Sequence, residues 1–131
     1  MTAEKSDQDK KRVVVVEDDA DFQKLVDMML SGADVEIVAA ADGQGALDAI
    51  RAHAPDLVIL DLLLPDMNGW EVFMQMRRED ESSNVPVIIL SGVGTRYDRT
   101  FSLQVAQVHD YLTKPCLPSR LRASVASALH M

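Results

Sequence analysis

Four short apolar segments of this sequence are each followed by side chains that could do chemistry. In chain order these are Glu17 with Asp18, then Asp61, Ser91 and Lys114. A carboxylate beside so much hydrocarbon is costly to bury unless another group pairs with it. Several carboxylates packed together also repel one another, and at least one should have a raised pKa unless a cation neutralises them.

This set of side chains suits one kind of reaction. Carboxylates are the hard oxygen ligands that Mg²⁺ accepts, and the ion keeps its remaining positions for water and phosphate oxygens. Lys114 supplies a mobile positive charge and Ser91 a small hydroxyl donor. Such a site could stabilise a phosphoryl group that is transferred to one accessible carboxylate.

Asp61 occupies the most informative position of the set. It ends the aliphatic run Leu57–Leu60, and a turn sequence, Pro65-Asp66-Met67-Asn68-Gly69, lies a few residues further on. An apolar run of this length between turn residues is typical of a strand buried on both faces. In open α/β sheets, ligands bind just beyond the carboxyl ends of such strands.

The remaining apolar pattern predicts five strands that alternate with five helices. The predicted strands are Val13–Val16, Val35–Ala39, Leu57–Leu60, Pro86–Leu90 and Asp110–Leu112. Apolar residues at helical spacing follow them, including Phe22, Leu25, Val26 and Met29 in the first helix and Tyr97, Phe101, Val105 and Val108 in the fourth. This alternation implies a doubly wound α/β domain, a parallel sheet with helices on both faces.

Composition sets further limits. Residues 1–11 carry almost nothing to bury and are expected to form a disordered tail, which leaves residues 12–131 as one domain. The net charge of −8 argues against direct binding of nucleic acid. The single cysteine, Cys116, cannot form an intrachain disulfide, and we see neither a membrane-length apolar run nor a signal-like segment. We expect a cytoplasmic protein without membrane contact.

From about residue 12 to its C-terminus the chain resembles the receiver domains of bacterial two-component response regulators, of the chemotaxis-regulator type. The resemblance depends on four motifs in this order and spacing: Val15-Val16-Glu17-Asp18-Asp19, Asp61-Leu62-Leu63-Leu64-Pro65-Asp66-Met67-Asn68-Gly69, Ile88-Ile89-Leu90-Ser91-Gly92 and Tyr111-Leu112-Thr113-Lys114-Pro115. It implies a flavodoxin-like fold, a doubly wound five-stranded parallel sheet of order 2-1-3-4-5 with five helices.

The resemblance also implies roles for individual residues. Asp61 would accept the phosphoryl group, with Glu17, Asp18, Asp61 and the Leu63 backbone carbonyl holding Mg²⁺. Lys114 and Ser91 would bind phosphoryl oxygens. Ser91 and Tyr111 would act as the switch, and the Lys114–Pro115 peptide bond would be cis.

The partners implied are a sensor histidine kinase or a histidine phosphotransfer protein. Phosphorylation would switch the face formed by the fourth helix, the fifth strand and the last helix, and would signal from there to a partner or output domain. A homodimer through the same face stays open. The domain would not be an enzyme, beyond catalysing its own phosphotransfer and dephosphorylation.

Three other functions compete with this interpretation. A phosphatase of the haloacid dehalogenase type needs a second aspartate two positions after the nucleophile, where Leu63 stands. A flavodoxin-type flavin carrier would place a phosphate against Glu17, Asp18 and Asp19, which would repel it. A phosphate-independent pseudo-receiver that acts only by docking is the main alternative.

Asp19 itself is expected to cap the first helix.

Overall fold

The computed structural model describes residues 10–92 and 107–131. Its five strands are β1 (Lys11–Val16), β2 (Val35–Ala40), β3 (Leu57–Leu60), β4 (Val87–Ser91) and β5 (Asp110–Thr113). They form one sheet of order β2-β1-β3-β4-β5, and every neighbouring pair is parallel. The predicted doubly wound sheet and its strand order are confirmed.

Four helices lie within the described residues: α1 (Ala20–Met29), α2 (Gly43–His53), α3 (Gly69–Arg78) and a C-terminal helix, α4 (Pro118–Leu129). The first three begin at side-chain caps, Asp19, Asp42 and Asn68 respectively. The predicted capping role of Asp19 is confirmed, because its Oδ1 accepts a hydrogen bond from the Asp21 N–H. The predicted fourth helix, through Tyr97, Phe101, Val105 and Val108, falls almost wholly outside the described residues.

The sheet separates two apolar layers because successive strand side chains point to opposite faces. Val14 and Val16 of β1 pack against α2 and α3, and α3 contributes Trp70 and Phe73 to this layer. Val13 and Val15 face the other side, where α1 and α4 cover them. The strands β1, β3 and β4 are therefore buried on both faces, which explains their continuous aliphatic runs.

Several strand boundaries and one helix pattern differ from those predicted. Strand β2 ends at Ala40 instead of Ala39, β4 covers Val87–Ser91 instead of Pro86–Leu90, and β5 ends at Thr113 instead of Leu112. Strand β1 begins at Lys11, one residue inside the predicted tail, because pairing of Lys11 with Val35 uses the backbone and does not require an apolar side chain. Leu25, predicted to lie on the buried stripe of α1, is 43% exposed. The buried residues of that helix are Val26 and Met29, so the stripe is narrower than predicted.

Helix lengths in the described part of the chain bear on membrane insertion. None of these helices is long and apolar enough to cross a bilayer. Residues 1–9, which make up most of the predicted tail, lie outside the described residues.

Candidate functional site

Strand register brings the predicted site residues to one edge of the sheet. Val16 of β1 lies beside Leu60 of β3, which in turn lies beside Ile89 of β4. Ser91 is paired with Thr113 at the end of β5. The residues that directly follow or end these strands therefore meet above the same edge, as predicted for parallel strands.

Asp61 lies at the centre of this edge and is 5% exposed. Its Oδ1 accepts hydrogen bonds from the Leu63 N–H and the Ser91 Oγ, both at 3.0 Å. Its Oδ2 accepts a hydrogen bond from Lys114 Nζ at 2.8 Å. Hydroxyl, amide and ammonium donors thus compensate the desolvation of this carboxylate.

Lys114 joins two carboxylates that come from different strands. Besides Asp61, its Nζ donates to Glu17 Oε1 at 2.6 Å. Its backbone N–H bonds the Ser91 carbonyl at 3.1 Å, and the Lys114–Pro115 peptide bond is cis, as the resemblance implied. Burial by itself lowers the pKa of Lys114, but hydrogen bonds to Asp61 and Glu17 outweigh it, so this pKa lies above its ordinary value.

Glu17 is as deeply buried as Asp61, whereas Asp18 is exposed. Glu17 Oε2 accepts a hydrogen bond from the Asp19 N–H at 3.0 Å. Burial raises the pKa of Glu17, and the nearby Asp61 charge adds to the effect, while the bonds from Lys114 and Asp19 oppose it. A carboxylate pKa in this group is therefore raised, as predicted, but burial is the main cause and the neighbouring acidic charge contributes less.

The acidic residues fit a divalent cation. One carboxylate oxygen each from Glu17, Asp18 and Asp61 lies within 4.8 Å of the other two. The donors are all oxygen, and one of the three carboxylates is open to solvent, which suits an ion that keeps water ligands. Leu63, whose carbonyl is predicted as a further ligand, is 54% exposed as a residue.

Of the two predicted switch residues, Ser91 lies beside the acidic group, and Tyr111 lies further back along the neighbouring strand, paired with Ile89. Ser91 is fully buried at the end of β4, within hydrogen-bond distance of Asp61. Tyr111 of β5 is half-buried and packs against the apolar layer that contains Leu60 and Ile89. The structure therefore brings Ser91 to this edge of the sheet with Asp61, Glu17, Asp18 and Lys114, but it does not bring Tyr111 into contact with them.

Two residues make contacts at or near the site that the sequence did not predict. The sequence marks Asp66 only as a turn residue, yet its carboxylate bonds the Gly43 and Gln44 N–H groups of α2. Phe22 belongs to a predicted apolar stripe, yet its ring lies under the Lys114 ammonium. No local pattern reveals either contact, because each partner lies far away along the chain.

The fold and this site together define a class, that of doubly wound domains with an acidic, lysine-containing site at a strand-end aspartate. The sequence model of the response regulator receiver domain matches residues 13–126. The chain belongs to this family.

Relatives and solved structures agree with this assignment. The DNA-binding response regulator MtrA of Mycobacterium leprae is 36% identical over 120 residues, covering 92% of this chain and 52% of the relative. The chain spans about half the length of the curated relatives it matches.

Two solved receiver domains show the same fold. One is the signal receiver domain of a Vibrio parahaemolyticus protein named for the LuxO repressor, 32% identical, with a TM-score of 0.84 and coverage of 92% of this chain and 91% of that one. The other is the receiver domain of the sensor histidine kinase PA1611 from Pseudomonas aeruginosa, with magnesium coordinated in its active-site cleft. It is 25% identical, with a TM-score of 0.83 and coverage of 93% and 99%.

Proposed function

We propose that this receiver domain accepts a phosphoryl group on Asp61, in a reaction that depends on Mg²⁺. The single observation that supports it best is the convergence on Asp61 of Lys114 at 2.8 Å, Ser91 at 3.0 Å and the carboxylates of Glu17 and Asp18. The proposed donor is a phosphohistidine of a sensor histidine kinase or of a histidine phosphotransfer protein. Membership of the two-component family supports this choice of donor.

The transfer is a displacement at phosphorus. An oxygen of the Asp61 carboxylate attacks the phosphorus atom and forms a P–O bond, while the bond between phosphorus and the imidazole nitrogen breaks. That nitrogen keeps the electron pair of the broken bond. If the other ring nitrogen of the donor is protonated, the departing group is a neutral imidazole. Asp61 needs no general base, since the nucleophile is a carboxylate oxygen and carries no proton to remove.

Glu17, Asp18, Asp61 and the Leu63 carbonyl would hold the metal ion. Bound Mg²⁺ supplies positive charge that offsets the charge on the phosphoryl oxygens. The magnesium reported in the PA1611 receiver domain supports this part of the proposal.

Lys114 and Ser91 act on the phosphoryl group from the protein side. The ammonium of Lys114 already donates a hydrogen bond to Asp61 Oδ2. It therefore needs to move little to bind an oxygen of a phosphoryl group attached to this carboxylate. The Ser91 hydroxyl, which bonds Asp61 Oδ1, would turn to a phosphoryl oxygen. Loss of this bond is the local change that starts the switch, and Tyr111 on the adjacent strand responds to it.

The signal is then transmitted through one face of the domain. This face is formed by the helix predicted between β4 and β5, by β5 itself and by the C-terminal helix α4. The domain binds its kinase and a downstream partner or output domain in the cytoplasm. It is not a turnover enzyme, because phosphate remains on its own side chain until hydrolysis. A homodimer through that face is one form that the phosphorylated state could take.

The test is modification by a small phosphodonor. The wild-type protein incubated with acetyl phosphate and Mg²⁺ should gain one phosphoryl group, which peptide mass spectrometry should locate on Asp61. Asp61→Asn is the control and should gain none. A wild-type protein that takes no phosphoryl group from acetyl phosphate, and that does not bind the beryllofluoride mimic in the presence of Mg²⁺, would instead indicate the phosphate-independent docking module.

A further inference from the structure

Lys114 has an aromatic neighbour as well as two carboxylate partners. Its Nζ lies 4.2 Å from the centroid of the Phe22 ring, while Glu17 Oε1 and Asp61 Oδ2 lie at 2.6 Å and 2.8 Å from the same nitrogen. The ammonium therefore contacts an aromatic face in addition to its two acceptors. Because the side chain that carries this charge is long and flexible, each of the three contacts restricts where the ammonium can lie.

Phe22 is held in place by the start of α1. Its backbone N–H bonds Asp19 Oδ1 at 3.4 Å as part of the helix cap, and Asp19 directly follows the acidic pair. The side chain is half-buried against the apolar layer that contains Val13 and Val15. The ring is thus fixed by the same turn that carries Glu17 and Asp18.

The face of an aromatic ring attracts a cation because its π-electrons present negative charge there. An aliphatic side chain of similar size would exclude water from the same place but would not attract the ammonium. A ring at this position therefore limits the positions that Lys114 can take. The favoured position is the one within reach of Asp61.

We infer that Phe22 is a positioning residue for Lys114, and that the face of its ring holds the ammonium where it meets a phosphoryl group on Asp61. This inference rests on the proposed function, since it concerns the rate of phosphorylation of the same aspartate. Phe22 does not touch the reacting atoms in this role. It acts through Lys114.

The alternative is that Phe22 only fills space beside the sheet. The two roles differ in what they require of the side chain. Packing requires volume and shape, whereas attraction of the ammonium requires an electron-rich face. Replacing Phe22 by pentafluorophenylalanine at this one position keeps the shape closely and reverses the charge of the ring face. Phe22→Tyr keeps an electron-rich ring, and Phe22→Leu removes the ring.

The experiment compares these variants with the wild type under acetyl phosphate and Mg²⁺, with the phosphorylation rate measured by intact mass spectrometry. We expect Phe22→Tyr to react at the wild-type rate, and Phe22→Leu and the pentafluoro variant to react about two- to fivefold more slowly. The pentafluoro variant should melt at a higher temperature than Phe22→Leu while reacting as slowly, which would exclude a loss of packing as the common cause. Independently of activity, the Lys114 ε-methylene protons should show an upfield ring-current shift that Phe22→Leu abolishes.

Failures of the two proposals can be told apart. If the wild type is phosphorylated on Asp61 and all Phe22 variants match its rate, the role of Phe22 is wrong and the proposed function stands. The role of Phe22 is also wrong if the pentafluoro variant is as fast as wild type while Phe22→Leu alone is slow, because volume then explains the effect. A wild-type protein that takes no phosphate overturns both proposals.

Discussion

The carboxylate of Asp66 accepts a hydrogen bond from the Gly43 N–H at 2.7 Å, which joins the turn after β3 to the first turn of α2. Its second oxygen accepts from the Gln44 N–H at 2.9 Å. These two backbone donors hold the pKa of Asp66 below its ordinary range. The loop that begins at Asp61 is therefore attached to a helix other than the one that follows it.

This attachment predicts a pH-dependent effect of Asp66→Asn. A carboxyl group with a lowered pKa in the folded state stabilises the fold above its unfolded pKa, about 3.9 for aspartate, and that contribution is lost as the pH falls through the folded value. The substitution should lower the Tm by a few degrees at pH 7 and by less at pH 3. Melting curves measure this. Asp48→Asn, the same charge change in the middle of α2, should show no such trend, and an equal loss at both pH values would contradict the prediction.

Ser91→Ala should reduce both stability and phosphorylation. The substitution removes the hydroxyl that bonds Asp61 Oδ1 in a fully buried position, which should cost about 1–2 kcal/mol of unfolding free energy. Ser91→Thr keeps the hydroxyl and serves as the matched control. Urea unfolding and the rate with acetyl phosphate measure the two effects. If alanine and threonine behave alike in both assays, the hydroxyl has no part in the site.

Gly69→Ala should disturb the phosphoacceptor loop because there is no room for a Cβ. The added methyl group would meet the Asp61 carbonyl oxygen and would lie 2.8 Å from Leu62 Cα, both of them backbone atoms that cannot rotate away. We expect a loss of about 1–3 kcal/mol and a slower phosphorylation. At Gly92 the same change meets nothing nearer than 3.9 Å among the described residues, so Gly92→Ala should unfold at nearly the wild-type urea concentration. Equal midpoints for the two variants would refute the steric argument.

Lys114→Met should cause a loss of stability, relative to the wild type, whose size depends on magnesium. Without the ammonium, the buried carboxylates of Glu17 and Asp61 lose their shared cation, and breaking such a pair should cost about 1–3 kcal/mol, discounted for the 24% exposure of the lysine. A divalent ion can replace part of the missing charge. Unfolding in EDTA should therefore show a larger deficit than unfolding in millimolar Mg²⁺. Arg51→Met, which breaks an exposed pair with Glu79, should show the same deficit relative to the wild type in both buffers. The prediction fails if the Lys114→Met deficit is the same in both buffers.

Local sequence pattern was sufficient to predict the sheet and most of the site. Aliphatic runs between turn residues indicate strands buried on both faces, and their alternation with helical stripes implies the parallel sheet. Because parallel strands end at the same edge, the positions of Glu17, Asp18, Asp61, Ser91 and Lys114 after their strands were enough to bring them together. The motifs that carry the family resemblance contain these same residues.

Packing, in contrast, sets how distant parts of the chain meet. Phe22 could be placed on α1 by its spacing, but its contact with Lys114 depends on how the fold brings the start of α1 to the segment that follows β5, which no window of sequence encodes. The bond from Gly43 to Asp66 likewise joins elements that only the folded loops bring together. Helical spacing could not show that Leu25 stays exposed, because the width of the buried stripe on α1 depends on what packs against that helix. Local spacing determines the face on which a residue lies, and packing determines its neighbours there.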